Sequence, residues 1–412
     1  MITLLLALVP PADACPTVAT GTPSSLSFDV AQVAIVREGS RTTFSVSVNP
    51  YGDKQEFALV LPVSTVLEQD EITTLDADIF ARLNAYSAPM RVNDAGCPRD
   101  SGGVALSGSD SSDSDTDSDT DADVEVEANY LVGEYEVTIL SSTESSGLKD
   151  YLDAKGYFLP AGADERLAEY IDAGSYFLTA KVADAAAEAN GLPLSPLQIS
   201  YESEMFAIPI RLATLNSPGV QDMIVYAINS REDGRTGLAN YTEFEVPDRC
   251  IWGDPQGDDF DTFYEDHFVD TWDKQGAGAW TVEYAGLPYD CNPCTGYALT
   301  EDDVALLGYQ GDYWSHHLTR MRFRYTPDQA QEDLVLYHTY IYEPNNTVYA
   351  DDWDQNYNCV ESFCDGTPTQ DDDGELDKQD GAAACGCDAG GASAWLGVAA
   401  LGVLRRRRSQ PR

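Results

Sequence analysis

Closely spaced cysteines are the first residues in this sequence whose types suggest a chemistry. Cys291 and Cys294 form a Cys-x-x-Cys motif, and Cys359 and Cys364 are separated by four residues. A Cys-x-x-Cys motif at the start of a helix can carry out thiol–disulfide exchange. Here Thr295-Gly296-Tyr297 follows the motif, and this is not a helix-forming sequence. We therefore predict a local disulfide in each pair, with a redox-active dithiol at Cys291 and Cys294 as the alternative.

A row of arginines is the second feature with a chemical meaning. Arg320, Arg322 and Arg324 alternate with large apolar residues. On a strand this alternation places three guanidinium groups on one face and the apolar groups on the other. So much positive charge needs carboxylate partners, either in an external ligand or in an acidic strand such as 125–127 or 134–136. Ion pairing between strands is the interpretation that we favour.

Other arrangements that could carry catalysis give weak signals. Adjacent His316 and His317 would point to opposite faces of a strand and could not chelate one ion. Glu202 and Glu204 could form an acid–base pair, but such pairs arise by chance in a chain this acidic. The motifs of zinc proteases, serine hydrolases and nucleotide-binding proteins are not present in the sequence. We expect no metal and no cofactor, and the sequence identifies no catalytic residue.

Apolar periodicity predicts the elements that would position these residues. Strands are predicted at 32–36, 41–48, 57–63, 124–127, 134–139, 176–182, 197–201, 206–212, 223–228, 280–284, 318–325 and 334–341. Helices are predicted at 76–86, 148–152, 165–172, 259–267 and 301–307. These elements show no regular βαβ rhythm. We therefore predict an α+β fold with mixed, largely antiparallel sheets, several short helices and disulfides.

The N-terminal segment carries a signal for export. Residues 1–14 are apolar from Ile2 to Val9 and end in Ala12-Asp13-Ala14, a pattern that predicts a signal peptide. Export leads to an oxidising compartment in bacteria, which agrees with nine cysteines in the chain. Cys15 follows the expected cleavage site directly, and lipid attachment to it is left open.

The C-terminal segment 385–412 is predicted to be a sorting tail. Cys385 and Cys387 precede an uncharged run, 389–404, which is followed by four arginines. As a helix the run would span roughly 24 Å, short of the ~30 Å hydrocarbon core of a bilayer. The arginines would stay on the cytoplasmic side, so the cysteines would lie outside it.

This arrangement of cysteines, apolar run and arginines resembles the MYXO-CTERM sorting signal of myxobacteria. The resemblance implies that a sorting peptidase is a partner and that the tail tethers the protein to a membrane. It also makes Cys385 and Cys387 candidates for sorting or lipid attachment. An ordinary transmembrane anchor is the alternative.

Between these signals the sequence divides into three parts. Residues 15–343 are predicted to form the exported domain, 344–364 a cysteine-containing extension and 365–384 an acidic stalk. Within the domain, residues 107–123 are almost entirely serine, aspartate and threonine. Such a composition cannot offset the entropy of ordering, so we predict a disordered loop. Calcium binding by its aspartates is the alternative.

The charge of the chain limits its partners. Seventy acidic residues face 24 basic ones, and the formal net charge is −46. A field of this sign repels nucleic acid and anionic lipid headgroups. We therefore expect no nucleic-acid partner.

Several segments resemble a known family. These segments are 34–39, continuing to Val48, the apolar run 57–63, the stretch 133–137 leading into 144–148, and the stretch 196–202. They resemble the bacterial domain-of-unknown-function family numbered 2330 over about residues 15–343. The resemblance implies an exported domain and supplies no mechanism.

Two functions from different classes remain compatible with the sequence. We expect a surface-displayed, non-enzymatic protein that binds or structures something in the envelope or outside it. The alternative is an extracellular enzyme with an acidic active site. A cavity lined by paired carboxylates or by the arginine row would favour the enzyme. An exposed aromatic patch would favour binding.

Overall fold

The computed structural model describes residues 17–20, 27–28, 31–47, 50–51, 57–92, 124–155, 157–182, 194–216, 219–246, 251–252, 260–288, 299–342, 345–346 and 348–352. The nine cysteines, and so both predicted disulfides, lie outside these residues. The predicted signal peptide, the segment 107–123, the stalk and the sorting tail also lie outside them.

The described strands run along the whole domain. In chain order they are β1 (Thr17–Thr20), β2 (Ser27–Phe28), β3 (Ala31–Glu38), β4 (Arg41–Val46), β5 (Pro50–Tyr51), β6 (Phe57–Val63), β7 (Ile72–Thr74), β8 (Met90–Val92), β9 (Val124–Val132), β10 (Tyr135–Ser142), β11 (Tyr176–Val182), β12 (Leu197–Glu202), β13 (Ala207–Ile208), β14 (Gln221–Ser230), β15 (Thr236–Leu238), β16 (Thr242–Glu243), β17 (Ile251–Trp252), β18 (Ala279–Gly286), β19 (His316–Tyr325), β20 (Leu334–His338), β21 (Asn345–Asn346) and β22 (Val348–Asp352).

Helices are fewer and shorter than the strands. The α-helices within the described ranges are α1 (Ile79–Ser87), α2 (Ser145–Ala154), α3 (Ala163–Asp172), α4 (Phe260–Asp273) and α5 (Glu301–Leu306). Short 3-10 turns occur at Gln69–Glu71, Ala213–Asn216, Arg231–Asp233 and Tyr313–Ser315. In the part of the chain that the structure describes, none of the helices is long and apolar enough to cross a membrane.

Two large sheets organise the domain. One has five strands in the order β1-β6-β11-β10-β9. The other has nine, in the order β16-β18-β19-β14-β3-β4-β12-β7 with β21 beside β18. A smaller sheet of three strands, β13-β20-β15, carries the surface described below. Most neighbouring strands are antiparallel, whereas in the nine-stranded sheet β14 is parallel to β3 and β16 is parallel to β18. The predicted α+β class with largely antiparallel sheets is confirmed.

The main core lies between the two large sheets. Val33 and Ile35 of β3 share one apolar cluster with Leu59 and Leu61 of β6. These residues alternate along their strands, so one face of each sheet turns toward the other sheet. The core is therefore built from the inner faces of two sheets.

Helices cover the outer faces of both sheets. On the five-stranded sheet, α2 and α3 pack through Leu148 and Leu167 against residues that include Val60. On the nine-stranded sheet, α1 and α5 pack against the cluster that contains Tyr226, while α4 contributes Phe268 to another cluster. Strand β19 is thus covered on both faces, and each of its ten residues is buried.

Two predicted strands end earlier than the sequence pattern suggested. The predicted strand 206–212 was wrong, because only Ala207–Ile208 pairs as a strand. Pro209 has no N–H to donate, and the next two amides donate to the carboxylate of Asp333 instead of to a strand. The predicted strand 334–341 ends at His338, because the chain turns sharply after it.

Candidate binding surface

The arginine row lies on the outer face of the nine-stranded sheet and is held in internal ion pairs. Arg320 pairs with Glu283 at 2.6 Å. Arg324 lies 2.6 Å from Asp222, and Arg322 lies 3.3 Å from the same carboxylate. Glu265 also accepts hydrogen bonds from Arg322 and Arg324, at 2.6 and 3.0 Å. Three guanidinium groups therefore face three carboxylates.

Each carboxylate reaches this face for an identifiable reason. Asp222 lies opposite Arg324 in the register of β14 and β19. A register shift between Val282 and Tyr284 marks a β-bulge, and the bulged residue Glu283 faces Arg320. Glu265 comes from α4, whose Phe268 ring lies 3.9 Å from the guanidinium carbon of Arg322.

The partners of the arginine row differ from the acidic strands considered from sequence. Those acidic residues lie on β9, on β10 and in the turn between them in the other large sheet, where Glu136 pairs with Lys181 at 2.5 Å. Burial raises the pKa of Asp222, and the two guanidinium groups beside it oppose that rise. A buried network with matched charges has the character of a structural element rather than of a ligand site.

The remaining predicted residues do not converge on one site. Glu202 ends β12 and accepts a hydrogen bond from Ser40 at 2.6 Å, whereas Glu204 lies beyond the strand. His316 packs against Tyr313, and His317 faces Tyr342. No group of three or more metal-ligating side chains with suitable geometry is found among the residues that the structure describes.

Five of the ten exposed large apolar residues of the described ranges lie on β20 and the turn after it. We call this group the aromatic surface and define it as Val335, Tyr337, Tyr340, Ile341 and Tyr342, all of which are exposed. Leu334 and Leu336 point the other way, into the main core. Alternation along β20 therefore leaves Val335 and Tyr337 on the solvent side.

A glycine on the neighbouring strand supports Tyr337. Gly237 of β15 lies directly opposite Tyr337 of β20. A Cβ atom on Gly237 would lie 2.8 Å from the Tyr337 ring, so the ring occupies the space that a side chain at position 237 would need. The absence of a side chain at Gly237 therefore sets the position of this tyrosine.

The turn after β20 holds Tyr340 in an unusual conformation. Its φ angle is 55°, and Tyr340 is the one non-glycine residue with a positive φ in the described ranges. Its amide donates to the carbonyl of Asp233 at 2.8 Å, and the amide of Thr339 donates to the carbonyl of Arg235 at 2.9 Å. A left-handed conformation costs an L-residue roughly 1–2 kcal/mol. The turn compensates that cost while leaving Tyr340 72% exposed.

The family of the chain is identified by comparison with known proteins. A model of the family described as an uncharacterized protein conserved in bacteria (DUF2330) matches residues 9–337. The chain belongs to this family. No curated protein and no solved structure matches.

The DUF2330 match covers the arginine row and, apart from β21, the two large sheets, and it ends within β20. Val335 and Tyr337 thus lie inside the matched residues of this DUF2330 chain, whereas Tyr340, Ile341 and Tyr342 follow them. The aromatic surface therefore combines a strand of the family domain with the turn that leaves it.

Charged and aromatic groups surround the aromatic surface in this DUF2330 domain. The His338 ring lies 5.1 Å from the Phe206 ring and 6.1 Å from the Tyr340 ring. Burial lowers the pKa of His338, while Asp233 raises it and Arg37 lowers it further. The guanidinium carbon of Arg37 lies 5.5 Å from the centre of the Phe206 ring.

Sequence reasoning missed the aromatic surface because it extended β20 to residue 341. Nothing in a single sequence distinguishes an exposed tyrosine from a core tyrosine. Tyr337 and Tyr325 differ in exposure only because of what packs on them.

Proposed function

We propose that this chain is an exported, surface-displayed binding protein and not an enzyme. The observation that carries the proposal is the aromatic surface, an exposed group of three tyrosines and two aliphatic residues on an ordered strand and turn. Large contiguous apolar patches on a protein surface mark interaction sites or ligand-binding grooves. Tyrosine suits such a role because it provides a large apolar face and a hydroxyl group at little cost in side-chain entropy.

The charged groups that could serve catalysis are already engaged with one another. Arg320, Arg322 and Arg324 are almost fully buried, and each makes an ion pair within the protein. Asp222 is buried between two of them. The arginine row, which was one candidate lining for an enzymatic site, is therefore engaged within the chain itself, and this supports a binding function.

We also propose that the protein is exported and held at the cell surface. The signal peptide at 1–14 would direct export, and a sorting peptidase would act on the tail at 385–412. Cys385 or Cys387 would then tether the mature protein to a membrane of the cell envelope. The charge of −46 supports a position outside the cytoplasm, away from nucleic acid.

The location is tested on intact cells of the native host. A membrane-impermeant biotin reagent should label the protein, and the intact mass of the labelled form should show loss of residues 405–412. Replacing both Cys385 and Cys387 by serine should release the protein or leave its precursor in the inner membrane. Recovery of an unlabelled, full-length chain would contradict surface display.

The binding function is tested with envelope material from cells that lack the protein. Purified protein should bind this material, and a Tyr337→Leu/Tyr340→Leu variant should bind it at least tenfold more weakly. Phe158→Leu is the matched control, because Phe158 is also an exposed aromatic residue but lies between α2 and α3 and is not part of the aromatic surface. Equal binding by all three proteins would remove the aromatic surface from the proposal.

A further inference from the structure

The charge around the aromatic surface restricts what can bind to it. The chain carries a formal net charge of −46, so anionic partners and a second copy of the chain are repelled. The 3-10 turn Arg231–Asp233, in which the Asp233 carbonyl holds Tyr340 in place, contributes two carboxylates, Glu232 and Asp233, against one guanidinium group. The surrounding field therefore favours a partner of positive charge.

The aromatic rings in this region already accept guanidinium groups from the chain itself. The guanidinium carbon of Arg231 lies 6.0 Å from the centre of the Tyr342 ring, and that of Arg37 lies 5.5 Å from the centre of the Phe206 ring. By contrast, no cation within the described residues lies over Tyr337 or Tyr340. These two exposed rings offer the same kind of contact to a partner.

We propose that Tyr337 and Tyr340 bind arginine or lysine side chains of a basic peptide segment in a partner protein. This inference rests on the proposed function and names the chemistry of the ligand. The exposed rings would supply cation–π contacts, and the carboxylates of Glu232 and Asp233 would supply the attraction over a longer range. Val335 and Ile341 would pack against the aliphatic stems of the basic side chains.

The first test is calorimetric titration of the full chain with a tri-arginine peptide whose ends are blocked. Its neutral isostere, tri-citrulline, has the same shape without the charge. Tri-arginine should bind, tri-citrulline should bind at least tenfold more weakly, and added salt should weaken the binding of tri-arginine. Equal binding of both peptides, or preferential binding of a neutral oligosaccharide to the same surface, would overturn the assignment of a cationic ligand.

The second test separates the rings from the overall charge. Tyr337→Leu/Tyr340→Leu has the same net charge as the parent, so non-specific attraction of the peptide is unchanged. Its Kd for tri-arginine should rise about tenfold, whereas Tyr337→Phe/Tyr340→Phe, which keeps both rings, should stay within about threefold. Unchanged binding by the leucine variant would overturn the inference. If that variant still lost its binding to envelope material, only the ligand class would be wrong, and the proposed function would stand.

Discussion

At the scale of single residues, burial changes the chemistry of His316. Its Nδ1–H donates to the carbonyl of Tyr313 at 2.6 Å, and its ring packs against Tyr309 at the start of β19. Burial lowers the pKa of His316 to about 4, while the hydrogen bond to Tyr313 opposes that change. His316 is thus neutral in the folded protein over a range in which an unfolded chain would protonate it.

We expect His316 to make the domain less stable in mild acid. Between pH 6.5 and pH 4 the unfolded state binds a proton that the folded state does not, so stability falls as the pH decreases through this range. The His316→Asn variant removes this contribution. The free energy of unfolding of the parent should fall by about 2–3 kcal/mol more than that of the variant between pH 7 and pH 4. Urea titrations at both pH values measure the difference, and parallel pH profiles would refute the prediction.

At Tyr340 we expect one substitution to increase stability and to weaken binding. Asparagine adopts positive φ more easily than tyrosine does, so Tyr340→Asn should raise the free energy of unfolding by about 0.5–1 kcal/mol. The same change should weaken binding, because it removes an exposed ring. Denaturant melts and peptide titration on one sample measure both effects. A destabilised variant would show that the ring contributes to the fold.

At the scale of elements, strand β19 depends on carboxylates supplied by three other elements. Asp222 of β14, Glu283 of β18 and Glu265 of α4 all reach the arginine row. Phe268 and Trp272 of α4 cover the guanidinium groups, and the Trp272 indole N–H donates to the carbonyl of Arg324 at 2.9 Å. The network therefore holds α4 against the nine-stranded sheet through ion pairs, ring contacts and a hydrogen bond.

Removal of one carboxylate from this network should be costly. Asp222→Ala leaves two buried guanidinium groups with fewer partners and should reduce the free energy of unfolding by about 3–5 kcal/mol. Lys274→Ala is the control, because the Lys274–Asp270 pair is mostly exposed, and its loss should cost less than about 1 kcal/mol. Chemical denaturation gives both values. Equal costs would mean that the buried network does not stabilise the domain.

The pairing of β15 with β20 allows the Tyr337 ring to be displaced selectively. In Gly237→Ala the new Cβ would lie 2.8 Å from the ring, and the exposed side chain can move away. We expect a loss of stability of at most about 1 kcal/mol together with weaker binding of the tri-arginine peptide. Gly219→Ala is the control, since a Cβ there meets no atom within 4 Å. Full affinity in Gly237→Ala would show that the position of the ring does not matter.

At the scale of the whole molecule, repulsion between the many acidic residues destabilises the folded state. Acidic residues outnumber basic ones by 70 to 24, and compaction brings their charges closer together. Self-repulsion of this kind opposes folding and is reduced when salt screens the charges. Stability should therefore depend on ionic strength even though the core itself is apolar.

Raising NaCl from about 0.01 M to about 0.5 M should raise the Tm by at least about 2 °C, because the Debye length shrinks from roughly 30 Å to a few ångströms. KCl should produce the same rise if screening is the cause. A larger rise in CaCl₂ at equal ionic strength would instead indicate a specific calcium site in the Asp-rich segments. Calorimetric melts in the three salts separate these cases, and no rise in any salt would contradict the prediction.

The sequence by itself determined the secondary structure of the strongly patterned segments. The strands β3, β4, β10, β11, β14 and β19 were recognisable because apolar alternation, or a continuous apolar run of strand length, is a local feature of the sequence. The same local rule placed Arg320, Arg322 and Arg324 on one face. The family resemblance could also be found in the sequence, since it depends on the order of residues.

Only the tertiary structure decided which groups meet. Asp222 is separated from Arg324 by 102 residues, and Glu265 is separated from it by 59. No local pattern records such contacts, because they follow from strand order, a β-bulge and the docking of a helix. The aromatic surface arose in the same way. Whether Tyr337 and Tyr340 face solvent or a core depends on which elements cover the end of β20, and packing between distant segments alone sets that outcome.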